Sequence, residues 1–153
     1  MNSSTDRIER RIHIKAPRSK VWRALTDPAR FGQWFGVKME GTAFTVGTLA
    51  RGTITYPGYE HLTMEIQIER VEPERLFSWR WHPAAIDPAV DYSKEPTTLV
   101  VFELEAADGG TWVTVVESGI DAIPVARRLD VFRMNSSGWD EQMSAIEKYV
   151  ATN

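Results

Sequence analysis

The chain has 153 residues, of which 42% are hydrophobic and 25% charged, and these values are typical of one globular domain. Cysteine is absent, which excludes thiol catalysis, iron–sulfur clusters and cysteine-ligated zinc. The net charge is −3 and no Lys/Arg run is longer than a pair, so the sequence lacks the basic face that nucleic-acid binding normally needs. No apolar run approaches the length of a membrane span, and residues 1–6 lack the apolar core of a signal peptide. We therefore expect one cytoplasmic domain over residues 1–153, with a flexible N-terminus over residues 1–6.

The N-terminal third predicts one strand followed directly by two short helices. In residues 7–15, positions that include Ile8, Ile12 and Ile14 alternate with polar positions. This period of two predicts a strand with one buried face. Ala16-Pro17 ends this strand, and Pro17 suits the first turn of a helix. Asp27-Pro28 is a second start signal, because an N-cap residue is followed by proline at the first helical position. Trp34 and Phe35 lie on the apolar side of this second helix.

The middle of the chain, from Met39 to Ser118, predicts about six strands. Short alternating stretches are separated by turn residues, and such short connections imply antiparallel pairing. One strand places Phe77, Trp79 and Trp81 on the same face. We expect Phe77 to be deep and Trp81 to lie nearer the mouth of the fold, because Trp81 adjoins the irregular segment 83–96.

The C-terminal segment predicts a long helix. Its apolar residues recur at intervals of four, three and four on one stripe, and they are Trp139, Met143, Ile146 and Val150. The prediction extends this stripe toward the N-terminus through Leu129 and Phe132. Small polar residues over 135–138 interrupt it, and two interpretations stay open. Either the helix breaks or begins there, or the small side chains leave space above the sheet.

These elements resemble the START-like (SRPBCC) helix-grip superfamily, and within it the family of activator of heat-shock-protein-90 ATPase homologues, with its polyketide cyclase-like relatives. Three segments carry the resemblance: Ala16-Pro17 through Asp27-Pro28 to Trp34; Gly52 to Trp81 with Val71-Glu72-Pro73 and Phe77-Ser78-Trp79; and Glu117-Ser118-Gly119 with Asn135 and Gly138-Trp139. The resemblance implies an α+β fold, in which a curved antiparallel sheet of about six or seven strands wraps around a long C-terminal helix. It places two short helices after the first strand.

The resemblance also implies a cavity between the sheet and the C-terminal helix. Members of the family are mostly cavity proteins, of which some bind lipids and some act as cyclases or aromatases. We expect bulky rings and flexible methionines to line this cavity and to suit a flat apolar ligand. The alternative for each side chain is that it is simply part of the core. The candidate ligand-binding residues are Trp34, Phe35, Met64, Trp79, Trp81, Glu117, Phe132, Asn135, Trp139 and Met143.

Glu117 is the polar group that we expect inside the cavity. Strict alternation from Val113 and Val115 places it on the apolar face of its strand. A buried carboxylate needs a partner, and Arg51 is a candidate. Glu117 is then a polar anchor or a general base. The alternatives are a strand end that turns the carboxylate to solvent and a structural hydrogen bond to the helix.

The three histidines have no spacing typical of metal ligands. His13 lies on the polar face of a strand, where we expect it to be solvated. His61 and His82 flank neighbouring strands and could meet at one end of the sheet. The sequence predicts neither a metal nor a cofactor, and it contains no nucleotide-binding or nucleophile-elbow motif.

Three functions stay open. The favoured hypothesis is a module, without enzymatic activity or with a weak one, that binds a small hydrophobic molecule. The second is a cofactor-free cyclase or aromatase, in which Glu117, His61 or His82 transfers protons. The third is an interaction protein that contacts a chaperone or a second copy of itself, since a homodimer is the commonest soluble oligomer. Chaperone activators carry an additional N-terminal domain that this sequence lacks, which weakens the support for a chaperone partner.

Overall fold

The structure, a computed structural model, describes residues 6–87 and 89–153. Its elements follow the predicted order of one strand, two short helices, six strands and one long helix. They are β1 (Arg7–Ile14), α1 (Arg18–Thr26), α2 (Pro28–Phe35), β2 (Val37–Met39), β3 (Leu49–Ile54), β4 (Thr63–Glu72), β5 (Leu76–Trp81), β6 (Thr98–Ala107), β7 (Gly110–Ser118) and α3 (Val125–Thr152), with short 3-10 turns at Tyr92–Lys94 and Ile120–Ala122.

The seven strands form one antiparallel sheet in the order β1-β7-β6-β5-β4-β3-β2. One face of this curved sheet packs against α3, and α1 and α2 pack against α3 at the same side. The predicted α+β helix-grip fold is confirmed. The first strand in the sequence lies at one edge and pairs with the last, so β7 is an interior strand and its inward side chains are deeply buried.

The start of α2 confirms the predicted cap. The Asp27 side chain accepts a hydrogen bond of 3.1 Å from the N–H of Ala29, and Pro28 occupies the first helical position. Gly36 ends the helix with φ of 90°, a conformation that other residues adopt at a cost. This tight exit lets β2 begin at once, so that Phe35 stays close to the sheet.

Helix α3 is continuous over 28 residues, so of the two interpretations of residues 135–138 the helix break or start is wrong. The predicted continuation of its apolar stripe through Leu129 is also wrong, because Leu129 is 53% exposed and Val131 is buried instead. Leu129 and Val131 lie about 200° apart around the helix, so the burial of Val131 turns Leu129 toward solvent. Phe132 is partly buried against the core.

The start of the described chain is held in place. Asp6 accepts hydrogen bonds from the N–H groups of Ile120, at 3.1 Å, and Asp121, at 3.2 Å. The predicted flexible N-terminus over residues 1–6 otherwise lies outside the described residues. Within the described ranges, none of the helices has the length and hydrophobicity to cross a bilayer.

Candidate functional site

Glu117 lies near the end of β7, and its side chain is fully buried. It follows Val113 and Val115 on the inward face of the strand, as the alternation predicted. Its carboxylate accepts four hydrogen bonds, two on each oxygen. Oε1 accepts from Asn135 Nδ2 at 2.8 Å and Trp139 Nε1 at 2.9 Å, and Oε2 accepts from Trp81 Nε1 at 2.9 Å and Thr98 Oγ1 at 2.5 Å.

The four partners of Glu117 match an ionised carboxylate. An indole N–H and an amide NH₂ can only donate, and an ionised carboxylate offers about four acceptor positions for such donors. The 2.5 Å separation from the Thr98 hydroxyl is typical of an O–H···O⁻ bond. In this arrangement no acceptor position remains for a substrate proton, so the geometry favours the anchor interpretation of Glu117 over the general-base interpretation.

Arg51 is not the partner of Glu117, and that prediction is wrong. Arg51 on β3 is exposed and binds Oε2 of Glu65, its cross-strand neighbour, through Nε at 3.0 Å and Nη2 at 2.6 Å. The hydrogen bond and the charge of Glu65 raise the pKa of Arg51. The neighbouring Gly52 occupies the inward position on β3, so Arg51 necessarily faces outward.

The network around Glu117 joins the sheet to the long helix. Trp81 is the last residue of β5 and Thr98 is the first residue of β6, so both ends of the 82–97 connection are bound to the same carboxylate oxygen. Asn135 and Trp139 are one helical turn apart on α3 and bind the other oxygen. A single carboxylate therefore fixes three strands relative to α3.

An aromatic cluster surrounds this network. The ring centroids of Trp79 lie 4.9 Å from Trp81 and 6.5 Å from Trp139, and Trp81 lies 6.2 Å from Trp139. Phe35 of α2 lies 6.3 Å from Trp81 and 6.2 Å from Trp139, and Phe102 of β6 lies 5.8 Å from Trp139. We call these five residues the aromatic cluster. Its rings fill the space between β5 and α3 where the cavity was predicted.

Trp79 carries an unsatisfied donor at the centre of the aromatic cluster. Its side chain is fully buried, and Nε1 has no hydrogen-bond partner among the described residues. Leaving a buried N–H without an acceptor costs about 1–3 kcal/mol. The neighbouring Trp81 is only partly buried and Phe77 is completely buried, which confirms the predicted order of depth.

The remaining predicted site residues lie in the core around the cluster. Trp34 is buried and donates from Nε1 to the carbonyl of Ala24 at 2.7 Å, which ties α2 to α1. Met64 on β4 and Met143 on α3 are also buried.

Two clefts lie elsewhere on the surface. One, of about 510 Å³, lies between the start of α1 and the β6–β7 turn, and the other, of about 60 Å³, lies beside the end of α3.

None of the three histidines forms a hydrogen bond with Glu117 in the described part of the chain. His13 is half-buried, not solvated as predicted, because its Nε2 lies 2.8 Å from the carbonyl of Ala107 and its ring packs edge-on against Trp112. His61 is exposed. His82 follows Trp81, and its Nδ1 is buried without a hydrogen-bond partner in the described residues. Within the described ranges, no group of three or more His, Asp or Glu side chains is arranged to hold a metal ion.

Arg127 on α3 is a further residue that shapes the site. It binds Glu95 with Nη2 2.7 Å from Oε1, donates to the carbonyls of Pro83 and Ala84, and stacks on Tyr92 at 4.7 Å. All of these partners lie in the 82–97 connection, whose flanking residues Trp81 and Thr98 both donate to Glu117. Nothing in the sequence singles out Arg127 beyond its adjacency to Arg128.

The same connection contains a capped turn. The hydroxyl and the N–H of Ser93 donate to the Asp91 carboxylate at 2.6 and 3.1 Å. These bonds, aided by the charge of His82, hold the pKa of Asp91 below its usual range. The turn places Tyr92 where Arg127 stacks on it.

Comparisons with known proteins agree with this architecture. Residues 15–151 match the family described as Activator of Hsp90 ATPase homolog 1-like protein. No curated protein matches the chain. Among solved structures, DynU16, a protein in the dynemicin biosynthetic locus, is 24% identical with a TM-score of 0.74, and the match covers 96% of this chain and 48% of DynU16. This chain therefore spans about half the length of DynU16.

Two other solved structures match over most of both chains. Protein MLL2253 from Mesorhizobium loti is 24% identical with a TM-score of 0.75, covering 96% of this chain and 98% of that protein. Aha1 from Colwellia psychrerythraea, solved in solution as a dimer, is 19% identical with a TM-score of 0.70, covering 94% of this chain and 95% of Aha1. At these identities the structural matches establish the fold.

The family match runs from the residue after β1 almost to the end of α3, and the chain belongs to the family of Activator of Hsp90 ATPase homolog 1-like proteins.

Proposed function

We propose that the protein binds a small hydrophobic molecule between β5 and α3, within the aromatic cluster. The observation that carries this proposal is the unsatisfied Nε1–H of Trp79, which lies fully buried among the rings. A ligand with an acceptor atom would satisfy this donor and would bury its own apolar surface against the indoles. The fold commonly binds hydrophobic ligands, which supports the same function.

Ligand binding requires some of the aromatic side chains to move, because their rings contact one another. Trp81 and Phe35 are only partly buried, so they can turn toward solvent at a smaller cost than Trp79. They pack against each other at 6.3 Å and form the outer edge of the aromatic cluster. The ligand would enter at this edge and lie against Trp79 and Trp139.

Native mass spectrometry of freshly purified protein tests this function first, because it detects a small molecule that co-purifies. A panel of ring-containing small molecules would then be titrated while backbone amide shifts are followed by NMR. We expect the shifts to centre on Trp79, Trp81 and Trp139. We expect Trp79→Phe, which keeps a ring and removes the donor, to weaken binding about three- to tenfold.

Trp112→Phe is the matched control. Trp112 lies on β7 at a position that faces away from Glu117, and it packs against His13 and Arg11. This control should leave the affinities unchanged. A wild-type protein that carries no small molecule and responds to none of the panel would contradict the proposed function.

A second candidate function is self-association through α3. Val125 and Leu129 are 79% and 53% exposed, and their spacing of four residues places them on one face of the helix. The solved Aha1 from Colwellia psychrerythraea, which shares this fold, is a dimer in solution. Light scattering coupled to size-exclusion chromatography would test this candidate. If α3 forms the interface, a dimeric wild-type protein should become monomeric in Leu129→Glu, whereas a monomeric wild-type protein would exclude it.

A further inference from the structure

Within the described residues, the buried carboxylate of Glu117 has no cationic hydrogen-bond partner. Its four hydrogen-bond partners are an amide, a hydroxyl and two indoles, all of them neutral. Two arginines of the adjoining segments bind other carboxylates. Arg127 binds Glu95, and Arg10 binds Asp140 with Nε 2.6 Å from Oδ1.

This charge lies close to the proposed ligand position. Trp81 and Trp139 both pack against Trp79, and both donate directly to Glu117. The ring of Trp79 is therefore separated from the Glu117 carboxylate by one indole ring. Like charges repel strongly at such separations when water is excluded, because the effective dielectric constant is much lower than in water.

The donors around the carboxylate cannot also neutralise a second anion. Each of the four is already used by Glu117. Among the described residues, the buried side-chain atoms without a hydrogen-bond partner are Trp79 Nε1 and His82 Nδ1, and of these only Trp79 belongs to the aromatic cluster. One neutral N–H can donate a hydrogen bond to a carbonyl, ether or hydroxyl oxygen. It cannot compensate for the removal of a carboxylate from water. The indole faces, in contrast, attract cations.

We propose that this site selects uncharged or cationic ring molecules that offer an oxygen acceptor to Trp79, and that it rejects carboxylates. The inference rests on the proposed function, since it defines the chemical class of that ligand. Glu117 is the residue that sets the charge selectivity, and Trp79 is the residue that recognises the acceptor. Aromatic acids and fatty acids are excluded from the same site.

Two probes of nearly equal shape test this selectivity. Methyl naphthyl ketone is neutral, and naphthoate replaces its methyl group with a negatively charged oxygen. NMR titration of the wild-type protein at neutral pH should give an affinity for the ketone at least about tenfold higher than for naphthoate. In Glu117→Gln the preference for the ketone should fall by about threefold or more, because the charge is gone while the side-chain shape is kept.

Glu65→Gln is the matched control, because it removes a carboxylate on the outer face of β4 and should retain the wild-type selectivity. If Glu117→Gln does not fold, the wild-type comparison still tests whether the site rejects carboxylates. Equal wild-type affinities for the two probes would overturn the charge selectivity and leave the proposed function standing. Failure of both probes to bind at millimolar concentration would overturn the inference, whereas the proposed function is decided by native mass spectrometry and the full panel.

Discussion

The carboxylate of Glu117 on β7 accepts a 2.9 Å hydrogen bond from the indole N–H of Trp139 on α3. Asn135, one turn earlier on the same helix, donates to the same oxygen at 2.8 Å. Apolar packing alone lets a helix slide or rotate over a sheet at little cost, whereas two directional bonds to one buried atom fix both its rotation and its position along the axis. Glu117 therefore defines how α3 sits in the curved sheet.

Replacing Glu117 by glutamine tests this role. The variant keeps the shape of the side chain but turns one acceptor oxygen into a donor, which then faces two donors of the network. We expect the free energy of unfolding to fall by about 2–4 kcal/mol, because buried donors lose a charged acceptor. Urea unfolding followed by circular dichroism measures this change.

The control for Glu117→Gln is again Glu65→Gln, since Glu65 pairs with Arg51 on the exposed face of the sheet. Exposed ion pairs contribute little to stability, so this variant should unfold close to the wild-type midpoint. Equal midpoints for Glu117→Gln and the wild-type protein would contradict the structural role of the carboxylate.

Two buried threonines allow the charged hydrogen bond to be compared with a neutral one. Thr98 donates to Glu117 at 2.5 Å, and Thr111 donates to the carbonyl of Ala16 at 2.8 Å; both side chains are completely buried. Valine replaces the hydroxyl by a methyl group in each. We expect Thr98→Val to cost about 1.5–3 kcal/mol and Thr111→Val about 0.5–1.5 kcal/mol, since bonds to charged groups are stronger.

Chemical denaturation of the two threonine variants under identical conditions gives the comparison. Both lose a hydroxyl from a buried strand position, so the difference between them reports the charge of the acceptor. A larger loss in Thr111→Val would mean that Glu117 is not ionised in the folded protein.

The inward orientation of Glu117 could be predicted, whereas its partners could not. Alternation with Val113 and Val115 is a local property of β7, and it determines the face on which each side chain lies. The four donors are separated from Glu117 by 18 to 36 residues, so their convergence depends on sheet register and on the position of α3. Arg51 was assigned wrongly for the same reason. Its orientation follows from its register with Glu65, which only the assembled sheet defines.

One of the two interpretations of residues 135–138, a break within α3, is wrong because local propensity was outweighed by tertiary contacts. Glycine inside a helix costs about 1 kcal/mol, which made Gly138 a reasonable point of interruption. Its neighbours Asn135 and Trp139 both bind Glu117, and Trp139 is buried against the sheet. These contacts are available only when residues 135–139 are helical, so the helix continues through the small residues.

The contact of Arg127 with the 82–97 connection leads to a prediction about local order. Arg127 binds Glu95 through a partly buried ion pair and stacks on Tyr92. We expect Arg127→Ala to accelerate amide hydrogen exchange at Tyr92–Lys94 and Glu95 by roughly tenfold, because this turn then loses its anchor to α3. Exchange of the Glu117 strand should change far less.

Two variants serve as controls for Arg127→Ala. Arg133→Ala removes an exposed arginine from the same helix and should leave exchange in the connection unaltered. Arg127→Lys keeps the charge but lacks the planar guanidinium that stacks on Tyr92. Its exchange rates should therefore lie between those of the wild-type protein and Arg127→Ala. Unchanged exchange in all three variants would mean that the connection is ordered by its own turns and by its two ends.

Two helical glycines should respond in opposite directions to the same added methyl group. A Cβ at Gly138 of α3 meets no atom within 4 Å, whereas a Cβ at Gly32 of α2 would lie 2.0 Å from the carbonyl oxygen of Val37. Gly138→Ala should therefore raise the free energy of unfolding by about 0.5–1 kcal/mol, through the better helix propensity of alanine. Gly32→Ala should lower it by about 2 kcal/mol or more, because α2 and β2 must separate. Urea midpoints measure both, and a destabilised Gly138→Ala would indicate that the small residues of α3 are needed for close packing against the aromatic cluster.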